Sequence, residues 1–165
     1  MPWADGEPES LDSRVLRLRR YRSEFDSDRD YTYGIFDREE TMILGGTGLH
    51  SRTSDDAREI GYWIHVDHLN RGYATESSAA LVRVGFEIND LSRIEIRCDP
   101  ENVRSAAIPR KLGFMHEATL RRRAYAPDGR SRDTMIWSMF SDAYPSTPAA
   151  GLQLTAFDVL GQRLL

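Results

Sequence analysis

Residues 58–76, REIGYWIHVDHLNRGYATE, contain the change of hydrophobic period that decides the fold. From 58 to 66 apolar and polar side chains alternate, which is the period of a β-strand with one buried face. From Gly72 to Asn89 the apolar residues recur every three or four positions, which predicts an amphipathic helix. The turn LNRGYA, residues 69–74, therefore lies between a strand and a helix.

This turn has two interpretations. A helix that begins near residue 72 has unpaired amide N–H groups and about half a positive charge at its first turn, and a pyrophosphate can bind to both. Gly72 and Ala74 allow a ligand to approach the backbone closely, and Arg71 adds a cation that can bind phosphate oxygens. The same residues also fit an ordinary tight turn with a surface arginine. The turn by itself leaves both interpretations open.

The segments on either side of this stretch follow the same two periods. They predict an amphipathic helix at 8–26, a hairpin of strands at 31–36 and 41–49, and a strand–helix–strand crossover at 58–66, 72–89 and 92–98. A short helix that ends at Gly113 and a final pair of strands at 115–123 and 132–140 follow. This order predicts an α+β fold with a mainly antiparallel sheet and one central crossover. We expect a single domain over 1–165, with a core at about 8–141 and a tail at 142–165.

Composition narrows the class of protein. The chain has 165 residues, a formal net charge of −4 and one cysteine, Cys98, which excludes an internal disulfide. No apolar run is long enough to span a bilayer, and the acidic start MPWADGEPES does not fit a secretory signal peptide. We therefore expect a cytoplasmic protein that binds neither a membrane nor nucleic acid. His65 and His68 lack a second ligand pair, so no metal site is expected.

Three motifs occur in one order along the chain. They are REIGYWIHV at 58–66, LNRGYA at 69–74, and NVRSAAIPRKLGF at 102–114, which follows RIEIRCDP. Together they resemble the GNAT superfamily of acetyl-coenzyme A-dependent N-acetyltransferases, and especially the Rim-type branch of ribosomal-protein alanine N-acetyltransferases. The resemblance covers about residues 30–141. Leu69 departs from the family turn, which starts with Gln or Arg, but a turn that acts through backbone amides should tolerate the change.

The resemblance also implies where acetyl-coenzyme A lies. The cofactor would occupy the gap where the strand at 58–66 separates from the strand at 92–98, with its diphosphate at the turn. Its pantetheine arm would pair with backbone groups of the first strand, whose amides would also stabilise the oxyanion. The implied cofactor-binding residues are Ile64, His65, Val66, Asn70, Arg71, Gly72, Tyr73, Ala74, Thr75, Asn102, Ser105 and Arg110.

The implied reaction is direct attack of a primary amine on the thioester in a ternary complex. The acceptor would be a protein N-terminus or a small-molecule amine. Glu59 is the candidate base, because strand alternation places it on the same face as Trp63 and His65. Glu59 equally fits an exposed strand carboxylate. His50, His65 and His116 are alternative bases.

The departing thiolate would be assisted by Ser105. Pro109 occupies the position at which many family members carry a tyrosine that donates a proton, and it also removes the amide that would pair with the carbonyl of Ser105. Asn102 fits a helix cap as well as a pantetheine contact, and Arg110 fits solvent exposure as well as a phosphate contact. The missing tyrosine keeps a second function open, which is a non-catalytic acyl-coenzyme A-binding or protein-interaction module.

The resemblance also implies an uncovered sheet edge. Family members normally have a strand and a helix before the segment that resembles PWADGEPES, and this chain starts almost at that segment. We therefore expect a GNAT-like sheet without the usual first strand and helix. Such an edge invites pairing with another chain, so a homodimer or the tail segment LQLTAFDVL at 152–160 is expected to cover it.

Overall fold

The computed structural model describes residues 10–126 and 128–165. Within these residues the chain forms three α-helices and six β-strands, whose bounds are α1 Leu11–Asp26, β1 Tyr31–Phe36, β2 Ile43–His50, β3 Ala57–Ile64, α2 Tyr73–Glu87, β4 Arg93–Cys98, α3 Val103–Leu112, β5 Met115–Tyr125 and β6 Ser131–Phe140. A short 3₁₀ turn, Val66–His68, leads from β3 towards α2. Residues 8 and 9 of the predicted first helix lie outside the described residues.

The six strands form one sheet in the order β1-β2-β3-β4-β6-β5. β3 and β4 run parallel with α2 crossing between them, and the other neighbouring pairs are antiparallel. The predicted α+β fold with a central crossover is therefore confirmed. β1 lies at one end of the sheet, and within the described residues the tail forms only a local bridge between Phe157 and Arg163. The tail therefore does not extend the sheet, and the homodimer stays a prediction.

α2 and α3 pack on the same face of the sheet. Val82 of α2, Ile94 of β4 and Ala106 of α3 belong to one cluster of buried residues. A Cβ on Gly85 would lie 2.6 Å from Cδ1 of Ile94, so glycine lets α2 approach β4 without displacing that side chain. Ile60 of β3 joins the same cluster. These contacts fix α2 relative to β3 and β4.

α1 has the predicted helical spacing but little burial. Leu11 and Leu18 are 76% and 62% exposed. The helix packs through Phe25, whose ring lies edge-on to the rings of Tyr31 and Tyr33 at centroid distances of 5.3 Å. Because α1 meets the sheet through its C-terminal end, the apolar residues nearer its start have no layer to pack against among residues 10–126 and 128–165.

The tail packs against α2. Nη1 of Arg83 donates to the carbonyl of Leu152 at 2.9 Å, and Ala149 is fully buried in the core cluster. Arg83 is itself held by Glu87, with Nη2 2.6 Å from the carboxylate. Together with α1 and β1 the tail lines a cavity of about 1230 Å³. This cavity lies over the β1 end of the sheet.

Candidate active site

β3 and β4 begin as a parallel ladder and then separate. Their last register partners are Ile60 and Ile96. Beyond that pair β3 stays on β2 as far as Ile64, and β4 stays on β6 as far as Cys98. Parallel neighbours that follow different partners diverge, so a cleft opens between the final residues of the two strands. This is the position that the sequence motifs imply for the cofactor.

The backbone of β3 presents alternate residues to the cleft. The amide of His65 donates to the carbonyl of Leu44 in β2 at 2.8 Å, and the carbonyl of His65 accepts an amide of the following 3₁₀ turn at 2.9 Å. Since neighbouring strand residues direct their backbone groups to opposite sides, Tyr62 and Ile64 present theirs to the cleft. The backbone N–H and C=O of His65 are therefore already paired within the chain, and binding of the cofactor by His65 stays a prediction. Val66 begins the 3₁₀ turn and is 70% exposed.

α2 begins at an open corner that has no side-chain cap. Gly72 has a φ of 90°, which favours glycine, and nothing lies within 4 Å of the place where a Cβ would be. Asn70 is also left-handed, with a φ of 60°. By contrast, side-chain oxygens of Ser10 and Asn102 cap α1 and α3. The first bond of α2 joins the amide of Glu76 to the carbonyl of Gly72, so the earlier amides have no partner within the helix.

The other predicted residues of the turn lie at the same corner. Arg71 is exposed, and Tyr73, Ala74 and Thr75 form the first turn of α2. The amides of this first turn lie at the end of the helix that carries the positive dipole charge. The corner therefore combines donors that have no partner within the helix, a nearby cation and open space.

Two hydroxyl groups meet where β3 faces the start of α3. Oη of Tyr62 lies 3.0 Å from Oγ of Ser105 and 3.1 Å from the Ser105 carbonyl oxygen. The side chain of Asn102 accepts the amide of Ser105 at 3.1 Å, as a helix cap does. Burial raises the pKa of Tyr62 to about 12, so the phenol keeps its proton. Sequence reasoning missed Tyr62, although the carbonyl left unpaired by Pro109 was a signal that some donor must replace the lost amide.

Cys98 ends β4 close to Ser105. Its thiol is buried, and this burial raises the pKa of Cys98. A thiol that keeps its proton is a poor nucleophile, which disfavours a covalent acyl-enzyme on this residue. Arg110 is exposed, and its guanidinium lies over the ring of Trp137 at 5.6 Å from the centroid. Arg110 is therefore positioned by an aromatic contact rather than by solvent alone.

Glu59 lies in an ionic cluster on the opposite face of β3 from Tyr62. Its residue is only 8% exposed, so the interpretation as an exposed strand carboxylate is wrong. Oε1 lies 2.9 Å from Nη1 of Arg52, and Oε2 lies 3.5 Å from Nε of Arg97. Arg97 also binds Glu95, the register partner of Glu59 on β4, at 2.9 Å. The cluster therefore holds Glu59 beside the last paired residues before the cleft.

The alternative bases have partners of their own. Nδ1 of His50 lies 2.7 Å from the carboxylate of Asp30, and His50 is the register partner of Glu59 on β2. The ring of His116 packs against that of Trp137. His50 is therefore the histidine that shares a row with Glu59.

Residues 10–126 and 128–165 contain neither a metal-binding cluster nor a membrane-spanning helix. Among these residues no three His, Cys, Asp or Glu side chains are arranged to hold a metal ion. In the same ranges no helix combines the length and the apolar character needed to cross a bilayer.

Comparison with known proteins identifies the family. A family model described as an acetyltransferase (GNAT) domain matches residues 1–115. The uncharacterized N-acetyltransferase YoaA of Bacillus subtilis is 30% identical over 132 residues, which cover 79% of this chain and 74% of YoaA. Other curated relatives are matched over smaller shares of their length, down to 39%.

Solved structures show the same fold. The ribosomal-protein-S5-alanine acetyltransferase of Vibrio fischeri has a TM-score of 0.77 at 20% identity, covering 87% of this chain and 80% of that chain. The spermidine N-acetyltransferase of Vibrio cholerae, in complex with CoA and spermine, has a TM-score of 0.72 at 20% identity, covering 86% and 82%. The family match and the likeness to YoaA place the chain in the GNAT acetyltransferase family of acetyl-coenzyme A-dependent N-acetyltransferases.

Proposed function

We propose that this chain transfers an acetyl group from acetyl-coenzyme A directly to a primary amine in a ternary complex. The observation that carries the proposal is the cleft between β3 and β4, which has the uncapped start of α2 on its margin. Solved structures of the same fold include a ribosomal-protein-S5-alanine acetyltransferase and a spermidine N-acetyltransferase in complex with CoA and spermine. A protein N-terminus and a small polyamine are therefore the two acceptor classes to compare.

The residues at the corner of α2 fit the diphosphate of the cofactor. The first amides of the helix are donors without a helical partner, and the space next to Gly72 is open. Arg71 can add a charge-assisted contact, and the left-handed Asn70 turns the backbone towards the same corner. Backbone groups of Ile64 would bind the pantetheine arm as a neighbouring strand does, and Asn102 and Arg110 of the α3 segment would contact it from the other side. When bound, acetyl-coenzyme A supplies the activated acetyl thioester.

On the ionic face, Glu59 would accept the proton of the amine through a water molecule. A water is needed because both carboxylate oxygens already face arginine partners. An α-amino group has a reference pKa of about 8, so a modest base is sufficient for a protein N-terminus. Arg52 and Arg97 would then position the carboxylate rather than take part in proton transfer.

On the face of the sheet that α2 and α3 cover, which we call the helix face, Ser105 would donate a hydrogen bond to the departing sulfur. Its hydroxyl is half-buried at the start of α3, with the Asn102 cap fixing the backbone. The raised pKa of Cys98 disfavours the nearby thiol as a competing nucleophile. Direct transfer therefore needs a base on one face and a donor on the other.

The test is a thiol-release assay with mass detection of the product, across N-terminal peptides, polyamines and free amino acids. We expect acetylation of at least one acceptor class, and the preferred class names the substrate. The competing function, a non-catalytic acyl-coenzyme A-binding module, is favoured by Pro109 at the position of the usual tyrosine. Tight coenzyme binding by calorimetry without product from any acceptor would replace the proposal by that alternative.

A further inference from the structure

Pro109 creates a defect in α3 that the structure repairs from β3. A proline inside a helix removes the amide that would bind the carbonyl four residues earlier, and here that carbonyl belongs to Ser105. α3 nevertheless continues from Val103 to Leu112. The hydroxyl of Tyr62 lies 3.1 Å from the Ser105 carbonyl oxygen and donates to it. A side chain 43 positions away therefore supplies the hydrogen bond that the helix has lost.

The same phenol also reaches the side chain of Ser105. Oη of Tyr62 lies 3.0 Å from Oγ of Ser105, so it has two acceptors on one residue but only one proton to donate. When the phenol donates to the carbonyl, its oxygen can accept the serine proton. When it donates to Oγ, the serine proton is free to point elsewhere. The orientation of the Ser105 hydroxyl therefore depends on Tyr62.

We infer that Tyr62 is a positioning residue that directs the Ser105 hydroxyl towards the departing sulfur. This rests on the proposed function. As the amine nitrogen bonds to the acetyl carbon and the carbon–sulfur bond breaks, Ser105 donates a hydrogen bond to the thiolate and Tyr62 donates to Ser105 Oγ. No proton leaves Tyr62, since the thiolate is reprotonated from solvent and the amine proton passes to the Glu59 side. Tyr62 on β3 thus takes over part of the task that Pro109 excludes from α3.

The test is a set of variants at three positions, read by stability and by activity. Tyr62→Phe should lower kcat about tenfold with KM for acetyl-coenzyme A unchanged within about twofold, and should lower Tm by about 3 °C. Pro109→Ala restores the amide to the Ser105 carbonyl, so the double variant Tyr62→Phe/Pro109→Ala should regain Tm but not kcat. In a Ser105→Ala background, Tyr62→Phe should have no further effect on kcat.

A third readout does not depend on turnover. The ultraviolet absorbance of the thiolate gives the pKa of the coenzyme A thiol when bound, and we expect Tyr62→Phe and Ser105→Ala to raise it equally. Tyr33→Phe is the matched control, because burial likewise raises the pKa of Tyr33 to about 12 on the same face of the sheet. The control should leave the bound thiol unchanged.

Three results would overturn the inference. The first is recovery of kcat together with Tm in Tyr62→Phe/Pro109→Ala, which would make Tyr62 purely structural. The second is an undiminished effect of Tyr62→Phe in the Ser105→Ala background. The third is an unchanged pKa of the bound thiol. If Tyr62→Phe alone fails to fold, the same comparisons are made in the Pro109→Ala background. Absence of turnover in the wild type would refute the proposed function, while the thiol pKa would still decide the role of Tyr62.

Discussion

The two faces of the sheet at the cleft differ in the kind of polar group they carry. One face holds carboxylates and guanidinium groups, with Glu59 and Glu95 side by side and Arg97 within ion-pair distance of both. The helix-covered face holds neutral groups, the hydroxyls of Tyr62 and Ser105. β3 serves both faces, because residues an odd number apart in a strand point to opposite sides. One strand therefore delivers a charged side and a neutral side to the same cleft.

In the proposed reaction this difference would separate the two proton-related tasks of amide formation. A charged carboxylate can accept the proton of an amine, whereas buried hydroxyls remain donors because burial disfavours their anions. The raised pKa of Tyr62 and that of Cys98 both follow from this burial. A thioester lying between the faces would have an acceptor of protons on one side and a donor of hydrogen bonds on the other.

Removing the charge from the ionic face should have the largest effect. We expect Glu59→Gln to lower kcat about 100-fold, because a positioned general base contributes at least that factor, while the dissociation constant for coenzyme A stays unchanged. Steady-state kinetics with the preferred acceptor measure the first quantity and calorimetry the second.

Two variants on the same row serve as controls for that result. Glu95→Gln removes a neighbouring buried carboxylate that also binds Arg97, and His50→Gln removes the alternative base paired with Asp30. Both should keep kcat within about threefold of the wild type, as expected for groups outside proton transfer. A larger loss in His50→Gln than in Glu59→Gln would move the base to the histidine.

Removing the donor from the helix face should have a smaller effect. Ser105→Ala would delete the hydrogen bond that we propose to the departing sulfur, and we expect kcat to fall about tenfold, the equivalent of a single hydrogen bond. A thiolate is a good leaving group in its own right, which is why this loss is smaller than that of the base. Equal losses in Ser105→Ala and Glu59→Gln would argue against the division between the faces.

Because Tyr62 on the helix face is held neutral, the free energy of unfolding should change at alkaline pH. The pKa of Tyr62 is raised from 10.0 to about 12, so the folded protein holds this proton more tightly than the unfolded chain does. The stability that this contributes is complete below pH about 10 and is lost as the pH rises towards about 12. Urea unfolding of the wild type and Tyr62→Phe should therefore converge over that interval. A constant difference would show that Tyr62 ionises as an ordinary tyrosine does.

The smallest effect is expected away from the cleft, at the anchor of the tail. The hydrogen bond from Arg83 and that from Tyr144 lower the pKa of Glu87 below its ordinary value of 4.5. A lowered pKa gives stability that is present above that value and is lost as the pH falls. Glu87→Gln should lower Tm by about 2 °C at neutral pH and lose this acid dependence, with kcat unchanged. A fall in kcat would show that the tail is coupled to the cleft.

The sequence predicted the parts of the fold that depend on local period. The strand, turn and helix of 58–76 are recognisable because the apolar spacing changes once and Gly72 marks the change. The exposure of α1 was not predictable, because Leu11 and Leu18 have helical spacing but lie against no layer that the described part of the chain provides. Local spacing reports which residues share a face, and only the packed fold decides whether that face is covered.

The prediction of site residues from the sequence was limited in the same way. Glu59 was selected from strand alternation, but its burial depends on Arg52 and Arg97, which come from other segments. Tyr62 was missed because its contact with Ser105 joins residues 43 positions apart. The backbone of His65 was assigned to the cleft, whereas its amide pairs with β2. The register of β3 on β2 decides which amides are free, and this register is not visible in the sequence of one strand.

Amide NMR titration will show whether the amides at the start of α2 bind the diphosphate of the acyl carrier, as we propose. We expect the resonances of Gly72, Tyr73, Ala74 and Thr75 to shift on addition of coenzyme A and to stay in place on addition of pantetheine, which lacks the diphosphate. Unshifted resonances at this corner in the presence of saturating coenzyme A, or equal shifts with pantetheine, would contradict the account.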